Sequence, residues 1–119
     1  MSCGVTQVDI CRVRGDTFPF RFAIKDDAGA AVDITGATFV LTVDPAEDPA
    51  GSGSNLFANT PTIVAPASQG LIEVALTAPQ AGQTPGDYFY DVQMLDAAGK
   101  IRTIARGKWQ VSQDITKTP

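Results

Sequence analysis

The chain has 119 residues, 44% of them hydrophobic and 18% charged, with a net charge of −4 and no histidine. That length and balance fit one folded domain and exclude a disordered or fibrous chain. The acidic balance argues against nucleic-acid binding, no apolar run approaches the roughly 18 residues a bilayer span needs, and the commonest metal ligand and general base is missing.

Met1 to Ile10 shows no positive region followed by an apolar stretch, so no secretory signal is expected. Cys3 and Cys11 lie close together and are expected to stay reduced, with Cys11 packed as a small apolar residue. Period-two alternation, broken often by Gly, Pro and Asp, recurs along the chain and predicts many short strands, hence a sandwich or a barrel. The first strand is expected from Gln7 to Val13, followed by a turn at Arg14-Gly15-Asp16. Phe18, Phe20, Phe22 and Ile24 then alternate with Pro19, Arg21, Ala23 and Lys25, the pattern of a half-buried strand. Pro19 belongs at its start or on an edge.

Asp26-Asp27-Ala28-Gly29 reads as a tight turn. After Ala31 to Ile34, a strand is predicted from Ala37 to Val43, with Ala37, Phe39, Leu41 and Val43 inward and Thr38, Val40 and Thr42 outward. The stretch 44–55, rich in Gly, Ser and Pro, reads as a flexible loop inside one domain covering 1–119, with short tails at both ends. Strands are expected from Phe57 to Ala65 and from Leu71 to Leu76. One helical turn is expected from Ala78 to Gln83, ended by Pro85-Gly86.

The last hairpin is the best-defined element. Tyr88, Tyr90, Val92 and Met94 share one parity. Beyond a four-residue turn, Asp96-Ala97-Ala98-Gly99, so do Ile101, Thr103, Ala105, Gly107, Trp109 and Val111. That turn puts Leu95 opposite Lys100, Tyr90 opposite Ala105 and Met94 opposite Ile101, with the apolar sets on one face. Ile104 is the exception to the pattern. The segment from Phe22 to Gly29 also echoes Val92 to Gly99, as two similar strand–turn units.

Little in the sequence points to chemistry. Without histidine, Ser-His-Asp and Cys-His arrangements are impossible, and no Gly-rich phosphate loop is present. Asp26, Asp27, Asp44 and Asp96 are expected to be solvated in turns. Asp44, Glu47 and Asp48 share a loop but match no calcium-loop spacing. Arg14-Gly15-Asp16 matches the tripeptide that integrins recognise, and its better reading is a turn between strands. No catalytic residue, cofactor or metal site is expected. The candidate surface is the outward face of the last hairpin, with Phe89, Asp91, Leu95, Arg102, Ile104 and Arg106, where Phe89 is placed beside Arg106 and Asp91 beside Ile104. Aromatic, Arg and aliphatic residues together are the composition of protein–protein contact cores.

The order of Arg14-Gly15-Asp16-Thr17-Phe18, Lys25 to Gly29, Val32 to Ala37, Pro85 to Val92 and Arg106 to Val111 resembles the small immunoglobulin-like domains of tailed bacteriophages and prophages. It is similar above all to the N-terminal domain of baseplate upper proteins and to tail- or fibre-associated modules. The resemblance implies an all-β, immunoglobulin-like antiparallel β-sandwich of about seven to eight strands. It also implies a non-catalytic virion structural protein, made in the bacterial host cytoplasm, that docks or connects in the tail, baseplate or fibre-attachment region. A capsid decoration protein is the alternative, and a carbohydrate- or ligand-binding module a further one. The partners implied are other phage structural proteins, in a homo-oligomer or on a symmetric scaffold, with no nucleic acid and no membrane.

Overall fold

The computed structural model describes residues 6–26, 28–45 and 56–115. The strands are β1 (Thr6–Gln7), β2 (Ile10–Val13), β3 (Phe20–Ala23), β4 (Thr38–Asp44), β5 (Phe57–Asn59), β6 (Thr62–Ile63), β7 (Leu71–Val74), β8 (Gly86–Leu95) and β9 (Ile101–Ser112), with one helical turn, α1 (Ala78–Ala81). They form two sheets. One is ordered β1-β9-β8-β4-β5, with β2 also on β9, and the other is ordered β3-β7-β6. Because β1 and β2 extend one broken edge strand, eight strand positions result. From β3 to β9 the order matches strands B, C, C′, D, E, F and G of an immunoglobulin-like β-sandwich.

Alternating apolar side chains on each sheet are buried only if the two inner faces meet. Phe39, Leu41 and Val43 of β4, Ile72 and Val74 of β7, and Tyr90 and Val92 of β8 do so. Trp109 of β9 is 1% exposed, with ring centroids 5.9 Å from Phe20, Phe57 and Tyr90. Tyr88, at the start of β8, donates its hydroxyl to the Thr84 carbonyl at 2.6 Å. This is the tyrosine corner that immunoglobulin-like domains place where the chain enters strand F.

The sheets are not wholly antiparallel as expected, since β1 and β2 run parallel to β9. The chain then crosses to the other sheet through Arg14-Gly15 instead of closing a hairpin. Between β1 and β2 the ladder is interrupted. There the Lys108 N–H donates to the Asp9 carboxylate at 3.0 Å, and the buried Tyr90 hydroxyl donates to the Val8 carbonyl at 2.5 Å.

Other expectations are corrected in detail. β3 begins at Phe20, and Phe18 is exposed. The strand expected from Phe57 to Ala65 is split between the sheets as β5 and β6, around Thr60-Pro61, where proline has no N–H for a ladder. Asp44 is buried at the end of β4 and not solvated in a turn. Cys11 is exposed, its sulfur 3.4 Å from the Ser112 hydroxyl, because its parity in β2 points it outward. Cys3, Asp27, Glu47, Asp48, the loop from 46 to 55 and the tails at 1–5 and 116–119 lie outside the described residues.

The hairpin register is also corrected. The Asp96 N–H donates to the Lys100 carbonyl at 2.9 Å, so the loop proper is Ala97-Ala98-Gly99, with Gly99 at φ 86°. Three-residue loops of this kind end in a left-handed residue and a bulge. Leu95 therefore pairs with Ile101 and Met94 with Arg102. A second irregularity lies between Val92 and Gln93, beyond which Val92 pairs with Ala105, Asp91 with Arg106, Phe89 with Lys108 and Tyr88 with Trp109. Two one-residue shifts restore the parity, so the core face is as expected from Ala105 onward. Between the shifts it is reversed. Ile101 is 69% exposed, and Ile104, placed outward by simple alternation, is 8% exposed. The echo between the two turns is real in hydrogen-bond terms. Asp26 Oδ1 accepts the N–H groups of Ala28 and Ala30, and Asp96 Oδ1 those of Ala98 and Lys100.

Candidate functional site

The outward face of the five-position sheet is where the residues singled out from sequence largely come together. Phe89 and Asp91 of β8 are half-buried on it, and Leu95 and Arg106 are exposed. Ile104 is removed to the core. Arg102, paired with Met94, shares the inward side at the open end of the sandwich. Sequence reasoning missed Ile101 and Lys108 and gave Val40 no role. The signal for Ile101 was present in Ile104, an apolar residue out of step, which is how a bulge reads in a sequence.

Row by row, the face is built from paired residues. Thr38, Leu95 and Ile101 form one row, and Val40, Gln93 and Thr103 the next. Thr42, Asp91 and Arg106 follow, then Asp44, Phe89 and Lys108. Val40 is 45% and Leu95 44% exposed, so with Ile101 they make an apolar end to a face that is polar elsewhere except for the half-buried Phe89. Burial pushes the Asp91 carboxyl above the usual aspartate range, and the neighbouring Arg106 charge offsets part of that shift. Asp91 and Arg106 do not close an ion pair. Among the described residues, a pair within 4 Å is formed by Arg21 and Glu73, on the other sheet.

Among the described residues, clefts open at both ends of the sandwich. One, of about 640 Å³, lies by the β8–β9 turn, with Ile34 and Met94 in its wall and Asp33, Asp96, Lys100 and Arg102 around it. Its carboxylates are already engaged. Asp33 Oδ1 accepts from the N–H and hydroxyl of Thr35, which hold its carboxyl below the usual range, and Asp96 Oδ1 serves the turn. The other cleft, of about 360 Å³, contains Arg14-Gly15-Asp16. Gly15 sits at φ 90°, where a side chain is strained, and its N–H donates to the Ala81 carbonyl. Arg14 Nε donates to the Gly82 carbonyl at 3.3 Å, so this tripeptide is a structural turn fastened to α1.

Among the described residues no group of three or more Cys, Asp or Glu is placed to hold a metal ion, and no helix is long and apolar enough to cross a membrane. Of the three aromatic residues a sugar could stack on, Trp109 and Tyr90 are buried, as their parity predicts, and Tyr88 is half-buried with its hydroxyl bonded to the Thr84 carbonyl.

No protein-family model matches the chain, and a search of curated proteins found no match either. Among solved structures the chain is similar to CopC from Methylosinus trichosporium OB3b, at 13% identity and a TM-score of 0.48, over 97% of this chain and 90% of that one. A likeness of that size assigns neither a ligand nor a role.

Proposed function

We propose that this chain is a non-catalytic docking module of a tailed-phage particle, a connector in the tail, baseplate or fibre-attachment region. The phage setting rests on the sequence resemblance. The docking role rests on one observation, the exposed apolar end of the outer sheet face, where Val40, Leu95 and Ile101 adjoin on three neighbouring strands. Exposed aliphatic residues that adjoin and are rimmed by polar side chains mark contact surfaces more than isolated ones do. The positions of the acids support a role without catalysis. Asp26, Asp33 and Asp96 each accept backbone N–H groups in turns.

The test is incorporation into particles. Leu95→Asp combined with Ile101→Asp is expected to remove the chain from purified particles, as measured by quantitative mass spectrometry. Arg21→Ala, on the outer side of the other sheet, is expected to leave incorporation unchanged. Equal incorporation of all three forms would overturn the docking role, and absence of the natural chain from particles would overturn the phage setting.

A further inference from the structure

Taking the docking reading as its basis, we propose that this face pairs with the same face of a second copy of the chain, about a two-fold axis running along the strands between β8 and β9. The charges are arranged in columns. β8 presents Asp87 and Asp91, and β9 presents Arg106 and Lys108, with Asp91 directly opposite Arg106 and Phe89 opposite Lys108. A two-fold axis along the strands keeps their direction and exchanges the columns, so β8 of one copy lies over β9 of the other. Asp91 then meets Arg106 of the second copy, twice, and Phe89 meets its Lys108, a cation above an aromatic face. Near the turn, Leu95 meets Ile101 of the second copy.

A two-fold across the strands would instead put β8 over β8, with Asp91 beside Asp91 near the axis. Like charges set against each other disfavour that packing. The two sheets of an aligned pair cross at about −30°, so register holds best at the centre. The Asp91–Arg106 row is central in β8, which runs from Gly86 to Leu95. Within one chain the two charges sit side by side and feel each other, but no ion pair within 4 Å joins them, which leaves both able to pair across an interface. A ten-residue strand at ~3.3 Å per residue and four strands ~4.8 Å apart give a face of roughly 600 Å². That is somewhat below the roughly 800 Å² per partner of a standard stable interface, so the dimer is a reversible one.

Sedimentation equilibrium over a concentration series tests this. The natural chain is expected to dimerise. Asp91→Arg makes the central row wholly basic and Arg106→Asp makes it wholly acidic. Each alone is expected to weaken dimerisation by at least about tenfold, and an equimolar mixture to restore it. Circular dichroism melts of each variant establish folding. Ile101→Asp, at a solvated position, weakens the dimer without touching the core or the charges. A natural chain that stays monomeric at its highest soluble concentration, a dimer indifferent to all three substitutions, or a mixture that remains monomeric would each overturn the proposal. A monomeric chain whose incorporation into particles still depends on Leu95 and Ile101 would sink the second copy alone and leave docking to another protein in place.

Discussion

Gly107 shows how one missing side chain shapes the N-terminal edge. A Cβ there would lie 2.2 Å from the Val8 carbonyl oxygen and 3.0 Å from Asp9 Oδ1. The backbone at Val8 occupies that space and accepts the hydroxyl of Tyr90, the residue opposite Gly107. Gly107→Ala must therefore displace main chain and is expected to cost about 1–3 kcal/mol, read from urea denaturation. Asp91 makes stability depend on pH. Its folded-state pKa is raised by burial, so the folded chain holds that proton more tightly than the unfolded one. Its contribution is fully present below the ordinary aspartate value and is lost as pH rises through the raised one. Asp91→Asn is thus expected to raise the melting temperature at neutral pH in dilute solution, with the gain shrinking as pH falls into the acid range. Thermal melts across pH measure it, and a gain that grew on acidification would reverse the sign argued here.

The β8–β9 hairpin shows what alternation does and does not reveal. The inward set from Ala105 to Val111 was legible because Trp109 and Tyr90 carry too much apolar area to leave in water. The bulge left a single mark, Ile104 out of step, because one extra residue inverts parity locally and leaves most of the pattern intact. The consequence is measurable. Ile104→Ala is expected to destabilise by about 2–5 kcal/mol, as a core truncation does. Ile101→Ala is expected to stay within about 0.5 kcal/mol in dilute solution. Unbroken alternation predicts the reverse order. The helical turn after Leu76 was legible from Pro85-Gly86, whereas its fastening was not. Gln80 closes a capping box with Thr77 and also bonds Asn59 and the Ala58 carbonyl of β5, contacts that join residues some 20 positions apart in sequence. The candidate face was legible for Phe89, Asp91, Leu95 and Arg106, which precede or flank the irregularities, and was misjudged for Arg102 and Ile104, which lie between the two shifts.

The molecule packs Trp109 with Phe20, Phe57 and Tyr90 between its sheets and carries an apolar end with paired charge columns on one outer face. Among the described residues, no exposed large apolar side chain lies on the strands of the three-stranded sheet. Its outer side carries the Arg21–Glu73 pair, with Nε 3.2 Å from Oε1, both solvated. Surface pairs of this kind contribute little to stability. The two sides of the sandwich are thus unequal, and contact is expected through the five-position sheet alone. A cryo-electron microscopy reconstruction of purified particles tests this most directly. The expected map shows the sandwich with density of a neighbour against Val40, Leu95 and Ile101, and with Arg21 and Glu73 facing solvent. A map in which the neighbour packs on the three-stranded sheet, leaving those three aliphatic residues in water, would contradict it.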